Sequence, residues 1–416
     1  MAAFETAAGA TRLIPSGPSG LGTSAARIAD LLRPRVPGAS APGVRTPGVR
    51  TPAVPTPGAR TPGVPTPGVR TPGVPTPGVR TPGVRTSDVR GTEVARSRTV
   101  PGLYCPPHLR DDPALAEEVN ERLVDWTQQV GIYAGRTEKF RQANFGRLLM
   151  LTHPDTDDPD RLVAAGRCLA AEFAVDDYFC EEATTSDHPE RLGPQLMLAQ
   201  SAIDPPQLPG RYQERYERSV REQPVLNALW HSLRELAGFA SGSQVNRLRQ
   251  EIAGLFLGMD AEAGWRIGGS APSVSEYLAN RQMNSFLPCM TLVDAVGGYE
   301  LPANVYGRPD VRRATLQAAL ASVLLNDIYS MHKEGGAQGL EYNLPTVLAA
   351  EDGCSLAEAT RRSIELHNEL VRSFEAASAA LTLTGDLVLT RYLGALWAWL
   401  GGNKEWHASS PRYNEQ

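Results

Sequence analysis

The first hundred residues contain no lysine, the whole chain of 416 has only five cysteines, and no apolar run is long enough to span a bilayer. Each absence excludes something. The cysteines (Cys105, Cys168, Cys180, Cys289 and Cys354) are odd in number, widely spaced and include no C-x-x-C pair. That excludes a disulfide scaffold and a zinc-type spacing, and it predicts reduced thiols in a cytoplasmic protein. A transmembrane helix needs about 18 or more uncharged apolar residues in succession, and none occurs. The first residues also lack the basic-then-apolar order of a secretory signal.

Charge is divided unevenly. Residues 1–100 hold thirteen arginines and four acids (Glu5, Asp30, Asp88, Glu93), a net +9, whereas the whole chain is −5, so residues 101–416 carry −14. From Thr46 to Arg85 the pentapeptide Thr-Pro-Gly-Val-Arg or Thr-Pro-Gly-Val-Pro recurs eight times with small variations. Proline every fifth residue bars regular helix and central strand, and the neighbouring glycine raises the entropy cost of ordering. A period of five is not the period of three that collagen needs. Residues 1–100 are therefore expected to be a disordered arm of turns and short polyproline II pieces, without catalytic chemistry. Its charge suits anionic surfaces, but a solvated arm is the simpler reading, and no nucleic-acid partner is expected.

After Pro106-Pro107 the texture changes to a 3.6-residue apolar period, with no convincing strand alternation. Helices are expected over Leu115–Val130, Lys139–Leu151, Asp160–Tyr178, Gln213–Leu236, Val245–Met259, Val274–Asn284, Arg312–Lys333, Leu356–Leu383 and Thr390–Leu400, with starts marked by residues such as Ser273 and Ser355. Residues 101–416 thus read as an all-α domain.

Two polar clusters interrupt this apolar texture. Asn326, Ser330 and Glu334 stand at i, i+4 and i+8 of one predicted helix. At about 100° per residue their oxygens lie within roughly 40° of one another. Three hard donors on one face suit Mg²⁺, which usually completes its shell with water and substrate phosphate. Lys333 stands beside them, where an ammonium would meet phosphate oxygens, and Asp327 points elsewhere, suited to capping or pairing. The second cluster, Asp176-Asp177-Tyr178-Phe179-Cys180-Glu181, follows the apolar run Leu162–Val175. Two carboxylates at the deep end of an apolar helix are costly unless something compensates their charge. Asp155, Asp157, Asp158 and Asp160, between prolines, read instead as a loop with helix N-caps.

With these motifs in hand, residues 101–416 resemble a bacterial class I terpene cyclase. In that family an aspartate-rich motif and an N-D-(L/I/V)-x-S-x-x-x-E motif face each other across a helical barrel and bind three Mg²⁺. The resemblance implies Asn326, Ser330 and Glu334 as metal ligands, opposite Asp176, with Asp177 and Glu181 in an extended D-D-x-x-x-E form. Cys180 stands where the family often has its third acid. Arg281, 45 residues before Asn326, matches an arginine that senses diphosphate. Arg412-Tyr413 resembles a terminal pair that hydrogen-bonds diphosphate, and Tyr342-Asn343-Leu344 also follows the family pattern. Dimerisation is common in such enzymes.

The leader, the segment Gly102-Leu-Tyr-Cys-Pro-Pro-His-Leu-Arg-Asp-Asp-Pro and Asn144-Phe-Gly-Arg-Leu are similar to the branch acting on 2-methylgeranyl diphosphate. Motif spacing alone serves a C10, C15 or C20 allylic diphosphate equally. Aromatic faces stabilise carbocations by about 0.5–2 kcal/mol each. Phe173, Phe179, Trp397, Trp399 and Trp406 are candidates for that role, and each is equally explicable as core. Rival readings are another mono- or sesquiterpene cyclase, a prenyl-chain elongating enzyme, which would normally carry a second Asp-rich motif, and a non-catalytic helical binding protein.

Overall fold

The computed structural model describes residues 99–181, 188–334 and 342–414, so the disordered arm expected over residues 1–100 lies, but for its last two residues, outside the described residues. Thirteen α-helices of seven residues or more occur among them. They are α1 (Pro113–Val130), α2 (Thr137–Ala143), α3 (Phe145–Thr152), α4 (Pro159–Val175), α5 (Leu192–Ile203), α6 (Arg211–Glu222), α7 (Pro224–Leu236), α8 (Gly242–Gly268), α9 (Val274–Arg281), α10 (Pro309–Glu334), α11 (Leu344–Asp352), α12 (Leu356–Thr382) and α13 (Leu387–Ser409). No strand occurs among the described residues, as the sequence periodicity predicts.

Local chemistry explains the boundaries. Asp112 caps α1 by accepting from the amides of Ala114 and Leu115, Pro113 opens it, and Gly131 closes it at φ 88°. Ser273 and Ser355 cap α9 and α12, and Asp158 caps α4. The expected helix over Lys139–Leu151 is two helices. Asn144 sits in the left-handed region at φ 54°, and its side chain accepts from the Arg147 amide to restart the chain as α3. Gln213–Leu236 likewise breaks at Pro224 into α6 and α7. Helices α5 and α11 lie in segments where no helix was expected.

The core runs through α4, α10, α3 and α13. Helix α10 packs on α12 and α13, α4 packs on α7 and α1, and α3 bridges α1 and α13. Two glycines allow these crossings. A Cβ on Gly146 would lie 2.3 Å from the Ala116 carbonyl oxygen, and one on Gly402 would lie 2.6 Å from the Leu151 carbonyl. Close approach of α13 to α3 fixes the C-terminal turns. Trp406, fully buried, donates from Nε1 to the carbonyls of Ala143 and Asn144 at 2.9 and 3.0 Å. It also stacks on Phe145.

Candidate active site

Helices α4, α8, α9 and α10 surround a cavity of about 520 Å³, mouth included, lined by Asp176, Arg281 and Asn326 together with Phe173, Phe286, Leu255, Met259 and Val323. Residues more than a hundred positions apart in sequence, Asp176 and Asn326, thus meet at one cavity.

The aspartates follow α4 in a π-helical turn, Asp176–Glu181, where an α-helix was expected to continue to Tyr178. Such turns are rare and insert extra residues that re-aim side chains. Here the two aspartates diverge. Asp176 lines the cavity. Asp177 is buried, with Oδ2 accepting from the Tyr133 hydroxyl at 2.7 Å and Oδ1 from Arg412 at 3.1 Å. The Arg412 guanidinium also lies over the Phe173 ring, 5.0 Å from its centroid. Asp177 thus ties the C-terminal turn Pro411–Asn414 to the aspartate motif.

Across the cavity, Asn326 is held in one orientation. Its Nδ2 donates to Nε2 of His407 at 3.1 Å and to the Tyr413 hydroxyl at 2.9 Å. Nδ1 of His407 lies 2.8 Å from the Asn403 carbonyl oxygen, which can only accept, so Nδ1 carries the proton and Nε2 presents its lone pair. Burial pushes the His407 pKa down to about 3, keeping the ring neutral. With both amide hydrogens committed, Oδ1 is the atom Asn326 has left to offer. Ser330, one turn on, is buried. The side chains of Glu181, Lys333 and Glu334 lie outside the described residues.

Asp327, beside Asn326 but on another face, organises the positive side of the site. It is 1 % exposed and accepts from Arg281, from the Tyr277 hydroxyl at 2.7 Å and from the Leu344 amide at 3.2 Å. Burial works against the Arg281 charge, but Asp327, Tyr277 and Glu262 outweigh it and raise the pKa, so the guanidinium stays charged. The sequence expectation that Asp327 caps or pairs is met on both counts. The Tyr342-Asn343-Leu344 pattern also gains a reason, since Leu344 starts α11 on the Asp327 carboxylate.

Of the five candidate aromatics, Phe173 lines the cavity. Phe179, Trp397, Trp399 and Trp406 are not among its lining residues. Trp397 stacks on Phe374, Trp399 meets His153 edge-on, and Trp406 packs between Phe145 and Tyr413. Phe286 lines the cavity and was missed, because its short loop has no helical period to reveal a facing. Tyr277, His407 and Tyr133 were missed too; single polar residues, two in helices and Tyr133 in the turn after α1, carry no spacing signal.

Does this donor set fit a metal ion? Among the described residues no three His, Cys, Asp or Glu side chains converge on one point. The set is mixed: the Asp176 carboxylate, the Asn326 amide oxygen that its hydrogen bonds leave free to coordinate, and the Ser330 hydroxyl. Hard oxygen donors of this kind fit a small divalent cation that keeps part of its shell for water and phosphate.

Residues 167–373 match the family described as terpene synthase family 2, C-terminal metal binding. The 2-methylisoborneol synthase of Saccharopolyspora erythraea is 42% identical over 314 residues, 75% of this chain and 89% of that protein. The chain belongs to the terpene synthases. It is a class I terpene synthase, a lyase of a metal-binding family. A 2-methylisoborneol synthase of Streptomyces ambofaciens is 40% identical over 76% of this chain and 72% of its own length. Among solved structures, the Streptomyces coelicolor A3(2) 2-methylisoborneol synthase in complex with Mg²⁺ and geranyl-S-thiolodiphosphate is 38% identical. That match covers 76% of this chain and 98% of the other, at TM-score 0.71. The five cysteines of this terpene synthase are free thiols, and no helix among the described residues is long and apolar enough to cross a membrane.

The His407 contact makes a prediction. Outer partners that orient a metal ligand typically cost about 10–100-fold in affinity or activity when removed. His407→Phe keeps a buried ring but removes the acceptor for Asn326, so the amide can rotate. The Mg²⁺ concentration for half-maximal diphosphate release should rise about tenfold, with the folded state intact by circular dichroism. An unchanged Mg²⁺ requirement would show that Asn326 needs no such holding.

Proposed function

We propose that this terpene synthase ionises 2-methylgeranyl diphosphate and cyclises it, with capture of water, to 2-methylisoborneol and diphosphate. The observation that carries the reading is the 42% identity to a 2-methylisoborneol synthase across 75% of the chain, against 26% to the spiroviolene synthase of Streptomyces violens. Asp176, Asn326 and Ser330, with Glu181 and Glu334 by family resemblance, would hold Mg²⁺, three ions in the family pattern, whereas Asp177, expected as a further ligand, accepts from Tyr133 and Arg412 and would orient the C-terminal turn instead. When bound, Mg²⁺ neutralises diphosphate and makes it a better leaving group.

The chain's own groups do the rest. Arg281, fixed by Asp327, faces the diphosphate with a permanent charge. Arg412 and the Tyr413 hydroxyl add donors from the C-terminal turn, and Lys333 adds a further cation by position in the motif. Loss of diphosphate leaves an allylic cation. Isomerisation through a tertiary diphosphate lets the first ring close, and a second closure follows. Leu255, Met259 and Val323 exclude bulk water and shape the chain, and Phe173 and Phe286 are the aromatic side chains in the cavity lining that would be available to a developing positive charge. Water captures the final tertiary cation.

The test is product analysis by mass spectrometry, using purified protein, Mg²⁺ and a panel of geranyl, 2-methylgeranyl and farnesyl diphosphates. The expected result is 2-methylisoborneol from 2-methylgeranyl diphosphate as the best turnover. Equal or better turnover of farnesyl diphosphate would sink the assignment. Condensation that requires isopentenyl diphosphate would point to a chain-elongating enzyme instead.

A further inference from the structure

Besides Asp176, Arg281, Asn326, Asn284 and Ser285, the cavity wall holds a polar pair, Glu172 and Cys289. Glu172 is 6 % exposed and lines the cavity one helical turn before Asp176, so its backbone lies about 6 Å further along α4 from the metal end. Its Oε2 accepts from the Cys289 thiol at 3.1 Å, and Cys289 lines the same cavity. Its other oxygen, Oε1, is buried with no hydrogen-bond partner among the described residues. Leaving such an atom unpaired is costly, and a site retains one when something else fills the need.

We propose that Glu172, oriented by Cys289, is the positioning residue for the water that ends the reaction, an inference that rests on the function proposed above. The diphosphate is the only polar part of the substrate and belongs at the rim with Asp176, Arg281 and Asn326. The hydrocarbon has nothing to offer a carboxyl group deeper in the cavity, whereas a single enclosed water does. Burial pushes the Glu172 pKa up to about 8, so at neutral pH the group is largely the acid. A protonated carboxyl is a poor nucleophile and does not itself trap the cation as an ester. With Oε2 accepting from Cys289, the proton sits on Oε1 and is donated to one lone pair of the water. The other lone pair forms the C–O bond to the tertiary cation. The resulting oxonium loses one proton, which ends on the diphosphate released in the first step, and Glu172 is unchanged.

Without a held water the same cation loses a proton from an adjacent carbon and becomes an alkene. Glu172→Leu should therefore lower the alcohol-to-alkene ratio about tenfold or more, the worth of one good hydrogen bond, while diphosphate release stays within about threefold of wild type. Glu172→Gln should keep the alcohol, since its amide oxygen can accept from Cys289 and its NH₂ can donate to water. A merely structural residue would change release and stability and leave that ratio alone. Wild-type alcohol proportions in Glu172→Leu, or equal loss in Glu172→Gln, would overturn the proposal. Should Glu172→Leu not fold, Cys289→Ala carries the test: it should move the ratio the same way, and an unchanged ratio overturns the proposal. Wild-type enzyme that makes no alcohol from 2-methylgeranyl diphosphate removes the function proposed above and this inference with it, and the wild-type products alone reveal that case.

Discussion

Asn326→Ala should lower kcat/KM by about a thousandfold or more, equivalent to roughly 4 kcal/mol of transition-state stabilisation. The residue has two jobs on opposite ends of one amide. In the proposed function Oδ1 would ligate the cation, and Nδ2 ties α10 to His407 and Tyr413 at 3.1 and 2.9 Å. The alanine variant loses both, yet each lost hydrogen bond costs only about 0.5–1.5 kcal/mol of stability, so the protein should remain folded. Asn326→Asp separates the jobs. A carboxylate is at least as good a ligand for a hard cation, so simple ligand counting predicts an active enzyme. But a carboxylate cannot donate, and it would set its lone pairs against Nε2 of a His407 that burial keeps neutral. Asn326→Asp should therefore be strongly impaired as well. Diphosphate release measured across a Mg²⁺ series decides: near-wild-type turnover in the aspartate variant would reduce Asn326 to a generic oxygen ligand.

What the sequence made legible follows from what periodicity can encode. Helical content, the placement of Asn326 and Ser330 on one helix, and the caps at Ser273 and Ser355 are local properties, and the structure agrees with them. The break at Asn144 was hidden because a left-handed asparagine leaves the apolar period almost intact on either side. The π turn was hidden for a similar reason. It changes the phase by which Asp176 and Asp177 are aimed, so adjacent carboxylates read as one pair although only Asp176 lines the cavity. The four aromatics outside the cavity lining show the limit of composition, since a large apolar ring is as useful in a core as beside a cation. Glu172 did carry a signal, a lone carboxylate inside the apolar run Leu162–Val175. Burial of such a group is expensive enough that its presence asks for a purpose.

Asp327→Ala should destabilise the fold by about 3–5 kcal/mol, because it strands the buried Arg281 charge without its partner. Asp327 also accepts from Tyr277 and the Leu344 amide, so the same change loosens the start of α11. Activity should fall with stability, and a single variant cannot tell misfolding from loss of an oriented guanidinium. The double variant Arg281→Met, Asp327→Ala can. Removing both charges leaves no uncompensated ion, and apolar replacements of buried pairs are often neutral or stabilising. Urea unfolding should thus recover most of the lost stability in the double variant, whereas diphosphate release should stay near background because nothing replaces Arg281 at the cavity. If stability and activity returned together, Arg281 would be a structural counter-ion for Asp327. If stability alone returns, the pair exists to hold a charge at the cavity, with Asp327 keeping the guanidinium charged and in place where burial alone would favour its neutral form.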